Sequence, residues 1–384
     1  MYFIAIQMLL GDRAKYIGMV VGITFAALIM TQQPAIFIGL MTRTYSFIGD
    51  TSLPDIWVMD TGVQFVEEHK PIRDTDLARV RGIAGVEWAA PMYKSLMTAR
   101  LPDGSTKSID ITGLDDATLV GAPPQIVQGS LDDLRKSDGI IVGEEAARTR
   151  LRIKTADGGD RALAVGDVIE INDRRAVVVA LAKVTRNFVL QPQVYTTYSR
   201  AMLYAPPNRR LLTYVLVKAK PGVDHEALAT SISAHTGLSA HTTQQFKNIT
   251  YSYWMNNTGI PINFGISVFL GFIVGAAIAG QTFFNFVHEN MKQYAALKAM
   301  GVRSGVLVRM VLLQAMVVGV IGYGLGVGLT SLFGIQFNDS VLAFLMPPAV
   351  LAFSAAGVGL IVLISALLAI RQVIKVDPAV VFRG

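Results

Sequence analysis

The chain has 384 residues, of which 52% are hydrophobic and 16% charged, with a formal net charge of +6 and no cysteine. The charged share lies well below the roughly 25% of soluble proteins, which excludes a wholly soluble globular fold. Without cysteine there is no disulfide framework, no thiol chemistry and no Cys-based metal site.

The deficit of charge is concentrated in four gaps: Lys15 to Arg43, Lys247 to His288, Arg309 to Asp339, and Asp339 to Arg371. About 20 apolar residues are needed to cross roughly 30 Å of hydrocarbon, and every gap is long enough. Transmembrane helices are expected at 16–41, 259–286, 306–333 and 345–370. Residues 1–15 read as a cytoplasmic amphipathic helix. The first span is longer than the h-region of a signal peptide and no small-x-small site comes after it, so it is expected to remain as an anchor that exports the segment C-terminal to it. Pro34 is expected to kink its outer half.

Residues 42–255 are different in kind. They hold 25 Lys/Arg and 24 Asp/Glu, a near balance. Strands are expected at Ile56–Met59, 86–92, 108–111, Val168–Ile171 and 176–182, with helices at Asp74–Arg81, 143–151 and 224–235. Asp103-Gly104 marks one hairpin turn and Asn172-Asp173 another. The pattern is that of a large α+β extracytoplasmic (periplasmic) domain inserted between the first and second spans.

That domain shows little chemistry. His69, His225, His235 and His241 form no HExxH or HxxxH pair, so no metal site is expected. No GxSxG elbow occurs, and Glu67-Glu68 and Asp115-Asp116 read as solvated surface. A domain that binds or transmits force is expected rather than an enzyme.

The second span, 259–286, leads to a loop at 287–305, the third span, a short loop at 334–344, the fourth span, and a tail at 371–384. The nine remaining basic residues are Arg13, Lys15, Lys292, Lys298, Arg303, Arg309, Arg371, Lys375 and Arg383, opposed locally by Asp12, Glu289 and Asp377. This is the positive-inside pattern, and it places both termini and the 287–305 loop in the cytoplasm. The basic excess is topological, so a lipid membrane and no nucleic acid is the implied surface.

Small residues recur at helical spacing. Gly18 and Gly22 lie in the first span and Gly271 and Gly275 in the second. The third has Gly319, Gly322, Gly324, Gly326 and Gly328. Such residues let helix backbones approach closely, within a protomer or across a dimer. The interiors of the spans carry no Asp, Glu, Lys or Arg, which argues against an ion pathway or proton relay. No GxxxxGK[ST] occurs, so ATP is not held here by a P-loop.

Three segments carry a resemblance. Met8-Leu-Leu-Gly-Asp-Arg-Ala-Lys-Tyr-Ile-Gly-Met-Val-Val-Gly22 leads into the first span. Gln293-Tyr-Ala-Ala-Leu-Lys-Ala-Met-Gly301 lies between spans two and three, and Val376-Asp-Pro-Ala-Val-Val-Phe-Arg383 closes the chain. Together, in a four-span topology, they resemble the FtsX/MacB-like permeases of ABC transporters, the mechanotransmission type. Ile140-Ile-Val-Gly-Glu-Glu-Ala-Ala and Val165-Gly-Asp-Val-Ile-Glu-Ile are similar to that family's periplasmic core. Leu297–Gly301 and the Gly11-Asp-Arg start resemble the DevC-like subgroup. The chain departs from the family where a glutamate is replaced by Gln293, a glycine by Ala295 and a third-span acid by Gln314. Glu289, one turn earlier, could take over the acidic role.

The resemblance implies a transporter subunit with no ATPase site of its own, in the bacterial inner membrane, working as a dimer. ATP and Mg²⁺ would be bound by a separate ABC ATPase. The implied ATPase contacts are Glu289, Lys292, Gln293, Tyr294, Leu297, Lys298, Ala299, Met300 and Gly301, with Tyr294 and Leu297 offered to the partner and Gly301 ending the coupling helix. Asp377, Pro378 and Arg383 form the closing motif. A membrane-fusion protein and a TolC-like outer-membrane duct are the implied periplasmic partners. Two other readings stand beside it: a permease of the same build for lipoprotein release or cell-wall hydrolase activation, and a membrane-anchored sensor.

Overall fold

The computed structural model describes residues 2–155, 157–337 and 342–375. The elements in chain order begin with α1 (Tyr2–Gly11), α2 (Arg13–Arg43), α3 (Ser46–Asp50), β1 (Ile56–Met59), α4 (Asp74–Arg81), β2 (Val86–Arg100), β3 (Thr106–Leu114) and β4 (Gln125–Gln128). They continue with β5 (Gly139–Gly143), α5 (Glu144–Arg148), β6 (Ile153–Lys154), β7 (Asp160–Arg161), β8 (Val168–Ile171), β9 (Arg174–Lys183), β10 (Gln193–Thr197), α6 (Tyr198–Tyr204) and β11 (Tyr214–Ala219). The last are α7 (His225–Thr236), β12 (Ser239–Thr242), α8 (Thr243–Asn257), α9 (Ile260–Glu289), α10 (Met291–Ala299), α11 (Ser304–Gln336) and α12 (Pro348–Lys375). The chain divides into a helical unit (1–40 and 259–384) and an α+β unit (41–258).

In the helical unit, α2, α9, α11 and α12 are 31, 30, 33 and 28 residues long and apolar enough to cross a membrane. The fold is therefore four transmembrane helices with an α+β domain between the first and second. α2 continues through Pro34 as one helix. The fourth helix starts at Pro348, not at 345, for a steric reason. Pro347 and Pro348 push the residue before each out of the α region, whereas Pro at the first helical position is well tolerated. Arg309 lies in the second turn of α11, close to its start. The core of this unit gathers Leu9 of α1, Ile23 and Ala27 of α2, Phe283 of α9, Tyr294 of α10, Val318 of α11 and Ile361 of α12.

The α+β unit is built on a strand path β12-β1-β11-β2-β3-β10-β5-β9-β4, with β8 pairing with both β2 and β9. β3–β10 and β5–β9 are parallel and the other ladders on the path antiparallel. Both expected hairpins form. Asn172 and Asp173 have φ of 47° and 61°, the double left-handed geometry of a two-residue turn that matches strand twist. The Gly104 turn joins β2 to β3, with Leu101 N–H bonded to Ser105 O at 2.8 Å.

Helix α8 comes directly after β12 and is opened by a capping box. Thr242 Oγ1 accepts from the Gln245 N–H, and Gln245 Oε1 accepts from the Thr242 N–H. Two donors that a helix start leaves unpaired are thereby satisfied. α8 buries Phe246 against Trp57 and Tyr214. The helix expected at 143–151 is shorter, ending at Arg148, and that expected at 224–235 starts one residue later because Asp224 is its N-cap.

Candidate functional site

The segment between the second and third spans folds as a separate short helix because its residues favour one. Met291–Ala299 is almost wholly Ala, Leu, Met, Lys and Gln, the strong helix formers. Its C-terminal end is fixed by Gly301, at φ 88°. Gly301 N–H donates to Lys298 O at 3.0 Å and Val302 N–H to Leu297 O at 3.1 Å. This is the Schellman arrangement, which needs a residue tolerant of the left-handed region.

The structure corrects one expectation about this helix. Tyr294 and Leu297 are not presented to a partner. Both are buried, with Ala295, in the chain's own core. Residues three apart share a helix face, so an inward Tyr294 turns Leu297 inward too. The opposite face is formed by Lys292, Gln293, Ala299 and Met300, all exposed, with Met300 at 73%.

The buried face is held by hydrogen bonds. Tyr294 Oη donates to Gln314 Oε1 at 2.9 Å, and Gln314 Nε2 donates to the Ala5 carbonyl at 2.8 Å. One fully buried amide thus ties α10 and α1 to α11. Burial pushes the Tyr294 phenol up to about 12, so it is a neutral donor under ordinary conditions. Lys298 Nζ donates to Ile374 O at 3.2 Å, placing a cation on the last carbonyls of α12, where a helix dipole favours it. Glu289 pairs with Lys15, which also binds Asp12 at 2.7 Å. This surface triad adds at most about 1 kcal/mol but tethers the start of α2 to the end of α9. Asp377, Pro378 and Arg383 lie outside the described residues.

Glycines set the spacing of the spans. A methyl group on Gly22 would lie 2.7 Å from Ile278 Cγ2, one on Gly271 2.5 Å from Ile29 Cγ2, and one on Gly275 would collide with Ala26. On α11, a methyl at Gly322 would meet Ile23 at 2.7 Å, one at Gly326 Ala27 Cβ at 2.5 Å, and one at Gly319 Val362 at 2.8 Å. Gly18 is looser, 3.6 Å from Thr282. Gly324 and Gly328 differ: among the described residues nothing lies within 4 Å of a methyl group at either. Two residues along an α-helix is a rotation of roughly 200°, so the face that holds Gly322 and Gly326 leaves these two on the far side. Packing within the chain is thus assigned to the 322/326 pair and not to 324/328. Gly357, which Met30 covers, and Gly334, which Phe344 covers, are further close contacts that lacked a GxxxG signal.

The α+β unit holds a buried charge cluster that no motif announced. Lys94 Nζ and Asp110 Oδ2 are 2.5 Å apart with side chains 1% and 2% exposed. The ammonium also stands 3.8 Å from the Phe47 ring centre. Both carboxylate oxygens of Glu67 are buried, with no side-chain hydrogen-bond partner among the described residues. Burial, opposed by Lys94 and reinforced by Asp110, raises its pKa to about 7. His225 faces Asp55 at 3.8 Å and His235 bonds the Ser231 carbonyl, so these two histidines have separate local partners.

Two family models account for the two parts of the chain. One described as "MacB-like periplasmic core domain" matches residues 16–235, and one described as "FtsX-like permease C-terminal" matches residues 265–378. The chain belongs to the FtsX/MacB-like ABC transporter permeases. This permease is accordingly a multi-pass membrane protein, and its α+β unit is the periplasmic core domain. No curated protein sequence matches it.

Among solved structures, the permease is similar to the extracellular domain of the noncanonic ABC-type transporter YknZ from Gram-positive bacteria. The identity is 13% and the TM-score 0.34, over 49% of this chain and 98% of that one. It is similar to the periplasmic region of MacB from Actinobacillus actinomycetemcomitans at 14% identity and TM-score 0.37, over 55% and 97%. A permease domain from Porphyromonas gingivalis gives 17% identity and TM-score 0.32, over 51% and 90%.

Proposed function

We propose that this permease is the membrane subunit of an ABC exporter in the bacterial inner membrane, driven by a separate ATPase subunit that binds ATP and Mg²⁺. The observation that carries the reading is the two-faced helix α10. Its inner face is bonded through Gln314 to α1 and α11, and its outer face offers Lys292, Gln293, Ala299 and Met300. A short helix anchored in this way moves with the spans behind it, which is what a coupling element requires. In this reading both termini and α10 are cytoplasmic, as the basic residues there favour. Two permeases and two ATPases make the working unit. Closure of the ATPases pushes α10, and the glycine-packed spans carry the displacement to the periplasmic core domain. Substrate is then moved in the periplasm through a membrane-fusion protein and a TolC-like duct, as in the DevC-like subgroup. The charge-free span interiors support movement outside the membrane rather than through a pore.

The test is co-purification of the permease with the ABC-type P-loop ATPases of the organism that encodes it. Lys292→Glu with Met300→Asp is expected to abolish capture while the permease remains monodisperse. Full capture by that double variant, with the fold intact, would refute the assignment of this face.

A further inference from the structure

The turn between β9 and β10 is apolar where a turn facing water is ordinarily polar. It reads Val184-Thr-Arg-Asn-Phe-Val-Leu-Gln-Pro192, with Phe188, Val189 and Leu190 at its tip. Asn187, 2% exposed, closes it: its Oδ1 accepts the Gln191 N–H at 3.0 Å, and its carbonyl accepts the Leu190 N–H at 3.2 Å. Leu190 takes a φ of 59°, a region that glycine or asparagine enters at far lower cost than a bulky apolar residue. Val189 is 43% exposed, while Phe188 and Leu190 are half-buried. A strained backbone that holds apolar side chains at a turn tip points to surroundings other than water.

Contacts within the α+β unit tie this turn to both places where the chain enters or leaves a span. On one side is α3, which comes directly after span α2. Thr185 donates its N–H to Asp50 Oδ2 at 2.7 Å and its hydroxyl to Asp50 Oδ1 at 2.9 Å, and Ser46 Oγ donates to the Arg186 carbonyl at 3.2 Å. Span α2 ends at Arg43. The chain from Arg43 to Ser46 reaches at most about 11 Å, and the interfacial layer beside the hydrocarbon is itself about 5–8 Å thick. On the other side is α8, which ends at Asn257 just before span α9 begins at Ile260. The Phe188 ring packs on Trp254 of α8 with centroids 4.1 Å apart. This end of α8 reads Tyr251-Ser-Tyr-Trp254, and Tyr251 is 38% exposed. Tyrosine and tryptophan gather where a membrane meets water, since each has an apolar body and a polar tip.

We propose that the 187–191 turn is a membrane-contacting element, whose Phe188, Val189 and Leu190 enter the interfacial layer of the periplasmic leaflet. The partner is the lipid bilayer itself. Chain continuity supplies that partner: the residues that hold the turn, Ser46, Asp50 and Trp254, are covalently close to helices that cross the membrane. The chemistry of the tip agrees. Phe188, Val189 and Leu190 carry no charge, and the polar Thr185, Arg186 and Asn187 are spent on bonds to the protein behind them. Apolar side chains at interfacial depth leave water for the boundary between headgroups and acyl chains, as the apolar face of an interfacial helix does. This inference goes beyond the coupling role of α10 and does not depend on it.

The test uses the full chain, which has no cysteine of its own, in nanodiscs of phosphatidylcholine and phosphatidylglycerol. A single cysteine is placed at Val189→Cys or, as the water-exposed reference, at Arg174→Cys at the other end of β9, and is labelled with nitrobenzoxadiazole. Both positions are exposed, so the fold should tolerate the change, and native tryptophan emission checks that it does. Fluorescence is then quenched from the lipid, by a phospholipid with a nitroxide on its upper acyl chain, and from the water, by iodide. The label at 189 is expected to be quenched from the lipid at least about twofold more than that at 174, and from the water at least about twofold less. Two outcomes would overturn the proposal. Equal quenching of the two labels from the lipid would place the tip in water. Shielding of 189 from iodide without quenching from the lipid would assign the tip to a contact with protein.

Discussion

Replacing Tyr294 by Phe removes one hydroxyl and leaves Gln314 Oε1 buried without its donor. An unsatisfied buried acceptor costs about 1–3 kcal/mol. Because the bond joins α10 to α11, that cost falls on the seating of α10 rather than on its helicity. The cysteine-free chain offers a clean assay. Single cysteines are introduced at Leu297, 7% exposed, and at Met300, 73% exposed, and reacted with a maleimide in detergent. In the parent background Met300→Cys should react fast and Leu297→Cys slowly, at a rate set by local opening of α10. With 1.4 kcal/mol per decade, Tyr294→Phe should accelerate Leu297→Cys by roughly 5- to 150-fold and leave Met300→Cys unchanged. Gln314→Leu should act at least as strongly, since it also releases the Ala5 carbonyl. Equal labelling of Leu297→Cys with and without the Tyr294 hydroxyl would refute the anchoring role of this network.

Further substitutions separate packing from charge. Gly326→Ala sets a methyl 2.5 Å from Ala27 Cβ and 2.8 Å from Thr24 O, so about 1–3 kcal/mol of overpacking is expected, read as earlier loss of the monodisperse peak on heating. Gly324→Ala meets nothing and should hold or gain stability through helix propensity; equal losses at both sites would contradict the assigned faces. Lys94→Met strands a buried carboxylate and should cost about 3–5 kcal/mol, whereas Lys94→Met with Asp110→Leu should be far milder. All three tryptophans, Trp57, Trp88 and Trp254, lie in the periplasmic core domain, so their emission in urea reports on that unit; equal losses for the single and double variants would count against an ion pair. Glu67 has a folded pKa raised from 4.5 to about 7, so the folded state holds its proton more tightly. Its contribution is complete below about 4.5 and is lost as pH rises through about 7, in total about 3 kcal/mol. Glu67→Gln should flatten the domain's stability between pH 5 and 8, and an unchanged slope would place Glu67 in a wetter environment.

Hydropathy makes the spans legible because a bilayer demands long uninterrupted apolar runs, and turn chemistry makes both hairpins legible through Asp103-Gly104 and Asn172-Asp173. Other parts give no periodic signal. Tyr214–Leu216–Val217 in β11 is buried on both faces, so no alternation marks it. The sequence pattern gives 86–92 as a strand that stops at Met92; the strand runs on to Arg100 through Pro91, whose nitrogen faces the unpaired side, where no N–H is needed. The inward turn of Tyr294 and Leu297 is hidden for a related reason. A nine-residue helix with two lysines and apolar residues on all sides has no polar stripe, so only its partner in space, Gln314, decides which face is buried. Gln314 is visible as a polar residue within a span and as a departure from the family's acid, but the carbonyl it satisfies lies 309 positions away.

These contacts also fix which motions the helical unit allows. α2 touches α9 through Gly271 and Gly275 and touches α11 through Gly322 and Gly326, each at a spacing that excludes even a methyl group. Sliding α2 along either neighbour would drive Ile23, Ala27 or Ile29 over a ridge before the next groove is reached. Close-packed helices with such interlocks have few intermediate registers, because packed interfaces are bistable rather than continuously deformable. A force applied at α10 is therefore resisted least by rotation or translation of the unit as a whole. At its end, α10 is bonded to α11 through Tyr294 and Gln314 and to α12 through Lys298, while Gln314 also bonds α1. Loosening those bonds should uncouple α10 while leaving the span bundle intact, whereas Gly326→Ala should loosen the bundle while α10 stays seated. Labelling at Leu297→Cys and thermal loss of the monodisperse peak must then respond to opposite variants, and a single variant that moved both to the same degree would show that the two are one cooperative structure.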